Sequence, residues 1–313
     1  MTRTPPAPLT LGIVGFGKIA REQHVPAIRA DRRFVLHSIA DTAGGAAPAR
    51  KYATVEALLA ADDAPAAVAI CTPPQARYAV ARHALGRGRH VLLEKPPTVT
   101  LSELEELREV AARAGVTLFC AWHSQFAAAV LPAREWLAQR RLNSVRITWR
   151  EDVRVWHPGQ RWLWEPGGFG VFDPGINALS VAARILPKRL LVREALLSFP
   201  ENCATPIAAD LAMTDVDGTP IAVSFDFLQT GPQTWNIEVE TDADTLLLSQ
   251  GGARLAIDGH DVQVGPSAEY PALYARFADL IASGRSDADA LPLELVADAL
   301  LLGRRRLAPA FVD

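Results

Sequence analysis

Between Leu9 and Cys120, short and continuously apolar runs alternate with amphipathic stretches. The runs "LTLGIVG", "FVLHSIAD", "AVAICTPP", "HVLLEKPP" and "VTLFCAW" read as strands. Between them lie a helix running from the first glycine-rich turn to about Ala30 and the helical stretches "VEALLAA", "RYAVARHALGRG" and "TLSELEELREVAARAG", the last with a Thr/Ser start and a Gly stop. A strand that is apolar on both faces must be covered on both, and a helix between successive strands leaves them parallel. The pattern therefore calls for an α/β domain built on a parallel sheet.

After about Trp122 the pattern changes. "AVLPAREWLAQRRL" reads as a helix, and "NSVRITWRED" then places Val145, Ile147 and Trp149 on one face of a strand. "PIAVSFDFL", "TWNIEVET", "DTLLLSQGG" and "ARLAIDGHDVQV" are period-two or turn-bounded segments of antiparallel type. Two helical stretches, "YPALYARFADLIASG" and "LPLELVADALLLGRRR", finish the chain. The expected organisation is an α/β domain over residues 1–122, followed by an α+β domain with a large, mostly antiparallel open sheet over 123–313. At 313 residues with 49% hydrophobic content the chain can bury two cores. No repeat or low-complexity linker separates the parts, so they are expected to pack closely.

Charge and apolar patterning exclude several roles. The formal net charge is −3, and the sole basic block, the Arg triplet in "GRRRLA", reads as a solvated helix end, so no nucleic-acid footprint is present. No run of 18 apolar residues occurs and "MTRTPPAPLT" lacks a signal-type apolar core. A cytoplasmic protein without a membrane partner is expected. Cys71, Cys120 and Cys203 have no metal-ligand spacing and read as reduced, mostly buried residues. No His/Asp/Glu cluster has zinc spacing, so no metal is expected.

The chemistry begins at "GIVGFGKIA". Gly15, Gly17 and Ala20 stand at G-x-G-x-x-A spacing between a strand and a helix that opens with Lys18 and Ile19. The first glycine permits the tight turn, the second lets backbone approach a pyrophosphate, and Ala20 permits close helix packing. The next strand ends in Asp41, where a carboxylate can bind ribose hydroxyls. No base directly follows Asp41, so NAD is the expected cofactor and NADP the alternative, with Arg50 and Lys51 the nearest bases in sequence. Two further strand ends, "CTPP" with Thr72 and Pro73 and "EKPP" with Glu94 and Lys95, fall at the carboxyl edge of the sheet, where such folds bind ligands. Lysine occurs only at positions 18, 51, 95 and 188, and arginine fills the other cationic positions. A lysine at a strand end thus points to a property arginine lacks, a compact ammonium with a movable pKa.

The second half contains "EDVRVWHPGQRWLWEPGGFGVFDPGIN". Trp156, Trp162 and Trp164 offer faces that stack on a pyranose, although each is also suited to ordinary core packing. Trp235 lies on a later strand. Glu151, Asp152 and Asp173 supply carboxylates for sugar hydroxyls, and Asn177 follows Asp173 by one turn on the same helix face. His123 is a candidate substrate contact, while His24 and His157 read as helix-surface or loop residues.

"GIVGFGKIA", "CTPP", "GRHVLLEKP" and "FDPGIN" resemble, in order and spacing, the glucose–fructose oxidoreductase and inositol dehydrogenase family (Gfo/Idh/MocA) along essentially the whole chain. More narrowly, "GKIAREQHVPAI" and the Trp-rich segment resemble its bacterial aldose 1-dehydrogenases acting on D-galactose and L-arabinose. The resemblance implies that residues 1–122 are a dinucleotide-binding Rossmann domain and residues 123–313 a substrate-binding and oligomerisation domain, with nicotinamide and sugar meeting between them. The reaction it implies is oxidation of the anomeric carbon of D-galactose, L-arabinose or D-fucose to the lactone. It also implies a catalytic Lys at Lys95 and a homodimer through the C-terminal sheet. The family's Asp-x-x-x-His pair falls on Asp173 and Asn177, and Asn cannot exchange a proton at useful pH. The base is then Asp173 or Lys95, with Asn177 orienting the sugar. Alternatives within the resemblance are a non-enzymatic dinucleotide- and sugar-sensing regulator and a dehydrogenase of D-xylose or an inositol.

Overall fold

The computed structural model describes residues 7–43 and 48–312. By contact the chain divides into two units, one holding the residues up to Ala121 together with Tyr270–Asp289, the other holding Trp122–Glu269 and Ala290–Asp313.

The first unit runs β1 (Leu9–Val14), a π-type turn at Ala20–His24 continuing into α1 (Val25–Ala30), β2 (Phe34–Ala40), β3 (Arg50–Tyr52), α2 (Val55–Leu59), β4 (Ala67–Ile70), α3 (Pro74–Gly86), β5 (His90–Glu94), α4 (Leu101–Ala114) and β6 (Leu118–Ala121). All strand pairs are parallel, in the order β3-β2-β1-β4-β5-β6, the doubly wound Rossmann arrangement. Strands β4 and β6 are wholly buried, and β5 is buried from Val91 onward, as their unbroken apolar runs require. Helix α4 starts with a capping box between Thr100 and Glu103 and stops at Gly115, whose φ of 65° is left-handed. The short edge strand β3, with its Arg-Lys-Tyr sequence, carries no apolar signal and was not foreseen.

The second unit contains α5 (Val130–Leu137), β7 (Leu142–Arg150), α6 (Val153–Trp156), α7 (Phe172–Ile185), β8 (Leu190–Pro200), β9 (Ala208–Asp215), β10 (Pro220–Asp226), β11 (Thr234–Thr241), β12 (Thr245–Ser249), β13 (Arg254–Ile257) and β14 (His260–Val262). Helix α8 (Glu269–Ala282), which from Tyr270 onward belongs to the first unit, comes next in the chain, and α9 (Leu291–Leu302) and β15 (Gly303–Ala308) complete the second. Nine strands form one sheet, ordered β14-β13-β12-β11-β7-β10-β9-β8-β15. It is antiparallel except at β7/β10 and β8/β15. Val145, Ile147 and Trp149 are buried as the alternation requires. The β13–β14 hairpin turns on Asp258 and Gly259, both at positive φ, the Asp-Gly turn of a two-residue hairpin.

Three expectations are corrected. The Arg triplet is no helix end. Gly303 is extended, with φ −70° and ψ 127°, and a Cβ there would lie 2.6 Å from the Ala299 carbonyl oxygen and from Leu197, so the chain leaves α9 and adds Arg304, Arg305 and Arg306 to the sheet edge as β15. Residues 270–289, placed by sequence in the second part, pack on the parallel sheet, because Tyr274 and Phe277 meet Phe34, and Phe277 stacks on Phe119. Of the three cysteines only Cys120 is buried, and burial pushes its thiol far up; Cys71 and Cys203 are half-buried, and all three are unpaired. Among the described residues no cluster fit to hold a metal occurs, and no helix is long and apolar enough to cross a membrane.

Candidate active site

In the first unit the glycine loop leaves β1 through Gly15, whose φ of 86° favours glycine and whose Cβ would lie 2.8 Å from the Thr72 amide nitrogen. The loop and the "CTPP" turn thus approach each other more closely than any side chain permits. Gly17 faces open space, with nothing within 4 Å of a Cβ, which leaves room for a phosphate to reach the backbone, and Ala20 beneath it is fully buried. Lys18 and Ile19 stand exposed at the start of the helical turn.

Asp41 bridges the loop and its own turn. One carboxylate oxygen accepts from the Phe16 N–H at 2.6 Å and the other from the Ala43 N–H at 2.7 Å. Lys51 donates to the Ala43 carbonyl, and Arg50 pairs with Asp63 at 3.1 Å. At the adjoining strand end the buried Thr72 hydroxyl has no hydrogen-bond partner, and Pro73 caps α3. Open space at Gly17, an orphaned hydroxyl at Thr72 and a pinned carboxylate at Asp41 fit a dinucleotide along this edge.

Strand β5 delivers Glu94 and Lys95. The Glu94 carboxylate is buried, accepting from Lys95 N–H at 2.9 Å, from Tyr270 O–H at 2.7 Å and from His24 Nε2 at 2.9 Å. From the other side Arg77, also buried, donates to the carbonyls of Thr72, Glu94 and Pro96. One guanidinium therefore ties both strand-end motifs together, using the fixed fork that lysine lacks. His24, expected as a helix-surface or loop residue, is fully buried. Arg77 carried no signal beyond its place one turn into the helix after "CTPP".

In the second unit Gly175 decides where α7 lies. A Cβ there would meet the Phe225 ring at 2.7 Å, so this helix turn rests directly on β10. Asp173 and Asn177 sit one residue pair to either side of that contact. Asp173 is buried, and the Asn177 side-chain oxygen is buried without a partner. Glu151, also buried, accepts from Trp235 Nε1 at 2.8 Å through one oxygen and pairs through the other with His157 Nε2 at 3.0 Å. The second nitrogen of His157 lies 3.8 Å from Asp173 Oδ2, so one imidazole stands between two buried carboxylates. Trp156 tilts against Trp235, with ring centroids 4.8 Å apart, and Trp235 stacks on Trp149.

Glu151, Trp156, Asp173 and Trp235 are thus gathered around His157, and Asn177 lies one helical turn from Asp173. The other candidates have different partners. Asp152 caps α6 and pairs with Arg154; Trp164 packs against Phe227 and Phe311; His123 pairs with Glu269 at 2.6 Å. His157, expected as a helix-surface or loop residue, instead bridges two buried carboxylates. Its only signal was a histidine in a Gly/Pro/Trp-rich loop.

Residues 9–121 match the oxidoreductase family with an NAD-binding Rossmann fold, GFO_IDH_MocA. The chain belongs to that family and is an oxidoreductase. It is 44% identical over 308 residues to the galactose 1-dehydrogenase of Pseudomonas fluorescens, covering 98% of this chain and 99% of that one. The crystal structure of the D-galactose-1-dehydrogenase from Rhizobium etli superposes with a TM-score of 0.94 at 48% identity, covering 99% of both chains. A 3-ketoreductase from Actinomadura kijaniata, 20% identical over 96% of this chain with a TM-score of 0.83, shares the fold.

Proposed function

We propose that the chain is an NAD(P)-dependent aldose 1-dehydrogenase that oxidises the anomeric carbon of D-galactose, and of L-arabinose and D-fucose, to the lactone. The observation that carries this reading is the constellation on α7 and the Trp-rich loop. A buried carboxylate at Asp173, an unpartnered buried amide oxygen at Asn177 and the neighbouring faces of Trp156 and Trp235 match the mixed polar and flat apolar surface of a pyranose. The 44% identity to a galactose 1-dehydrogenase supports the choice of sugar.

A nicotinamide dinucleotide, held by the glycine loop, Thr72 and Asp41, would supply the hydride acceptor. As the C1–H bond breaks, the anomeric O–H proton passes to Asp173 and the C1–O bond becomes the lactone carbonyl. His157, paired through Nε2 with Glu151, has its Nδ1 3.8 Å from Asp173 Oδ2 and 3.5 Å from Gln160 Oε1, and in its neutral form it can take the proton onward. An imidazole is thus present although Asn stands at position 177. Asn177 orients the sugar, and Lys95 is assigned the catalytic role that the resemblance implies. The reaction is assigned to the cytoplasm, and the protein to a homodimer through the second sheet.

Incubating the protein with NAD or NADP and a panel of aldoses, while following reduced-nicotinamide absorbance, tests this. We expect activity on D-galactose, D-fucose and L-arabinose, weak activity on D-glucose, and a roughly 100-fold loss of kcat in Asp173→Ala. D-Glucose as the best substrate by kcat/KM would refute the sugar assignment, and wild-type turnover in Asp173→Ala would move the base elsewhere.

A further inference from the structure

We propose that His24 is a positioning residue for Lys95, acting through the buried Glu94 carboxylate that it shares with Tyr270. The inference rests on the catalytic role proposed for Lys95. Its geometry lies wholly within the parallel-sheet unit.

Lys95 is the first residue past the end of β5. Its N–H bonds to the side chain of its own neighbour, Glu94 Oε2, at 2.9 Å. That bond holds only while Glu94 stays in place as an acceptor, and a carboxylate this deeply buried must be compensated by donors. His24 and Tyr270 provide them at Oε1, at 2.9 and 2.7 Å. The imidazole is fixed in turn. Its Nδ1 meets Tyr274 O–H at 2.7 Å, and the rings of Tyr270 and Tyr274 pack edge-on around it at 5.0 and 5.8 Å.

The groups facing His24 are Glu94 from β5, Tyr270 and Tyr274 from α8, and Cys71 from the end of β4. Burial alone would lower the imidazole's pKa. Cys71, Tyr274 and the hydrogen bond to Glu94 outweigh burial and hold it well above 6.5. Burial also pushes the Tyr274 phenol up to about 12, so it remains a neutral hydroxyl. These surroundings favour the charged imidazole as donor to the buried Glu94 carboxylate, and losing either partner strands the other. Arg77 holds the Glu94 and Pro96 carbonyls from the opposite side, so the backbone on both sides of Lys95 is clamped.

The test compares wild type, His24→Leu, His24→Gln and Tyr270→Phe by steady-state kinetics and by amide hydrogen exchange at Lys95. In His24→Leu we expect kcat to fall about 10- to 100-fold with KM for D-galactose within about threefold, as for a catalytic group held slightly out of place. The Lys95 amide should exchange faster. His24→Gln, which keeps a donor toward Glu94, should recover most of both losses. The folded-state pKa is raised, so the ion pair's stabilisation is complete below pH 6.5 and fades as pH rises through the raised value. The thermal-stability gap between wild type and His24→Leu should narrow accordingly.

Unchanged kcat per folded molecule together with unchanged Lys95 exchange would overturn the proposal, whatever the loss of stability. If His24→Leu does not fold, Tyr270→Phe decides by the same two readouts, since it removes one donor to Glu94 and leaves the ring. A wild type inactive on every aldose would refute the proposed reaction, whereas the Lys95 exchange rates would still decide the clamp.

Discussion

At the scale of single residues, cofactor choice turns on Asp41. Its two oxygens are held by the backbone amides of Phe16 and Ala43, so the carboxylate cannot swing away from the glycine loop without losing both bonds. A 2′-phosphate beside it would put two anions together, at a cost on the order of several kcal/mol. The nearest bases offset this only partly, because Arg50 is paired with Asp63 and Lys51 donates to the Ala43 carbonyl. We therefore expect kcat/KM with NAD to exceed that with NADP by about 100-fold, and Asp41→Ser to shrink the ratio by at least about tenfold. A wild type that favours NADP, or an unchanged ratio in Asp41→Ser, would show that Asp41 does not govern the choice.

Elements were legible in the sequence where periodicity and punctuation agreed. The parallel strands, capped α4 and the Asp-Gly hairpin follow from local chemistry. Strands β8 and β9 did not, since "LLVREALLSFP" lacks a clean period-two pattern and is buried almost continuously at its end. Likewise β15 is specified by the close approach of Gly303 to Leu197, a contact remote in sequence. The candidate site divides in the same way. Its glycine loop is local and could be read, but His157 is selected by buried carboxylates 6 residues before and 16 after it, which no local pattern records. Element packing also yields a test. In Gly175→Ala the new Cβ would lie 2.7 Å from the ring of Phe225, itself buried. Helix α7 must then lift, costing about 1–3 kcal/mol of overpacking. Because Asp173 and Asn177 ride on this turn, kcat should fall along with the unfolding midpoint. A variant as stable and active as wild type would show that the sheet yields and that the contact does not set the site.

For the whole molecule, the open face of the second sheet carries the assembly argument. Alternation on β7, β9, β10 and β11 sends Val145, Leu211, Val223 and Val239 inward and leaves Arg146, Ala212, Ala222 and Glu238 exposed on the other side. In register, Ala222 lies beside both Ala212 and Arg146, and Arg146 beside Glu238. The result is a small-residue floor with Arg146 and then Glu238 along one side, in a groove of about 550 Å³. A symmetric pair presents one patch to itself, so a patch bearing both signs beside a flat centre can satisfy its own charges, whereas a single-sign patch would repel its copy. Ala222 lies on that floor and its side chain faces away from the core, so a long charged side chain there should block association without creating a cavity. We expect the wild type to sediment as a dimer and Ala222→Arg as a folded monomer with an unchanged unfolding baseline. A monomeric wild type at micromolar concentration, or a variant that remains dimeric, would place the interface elsewhere or remove it.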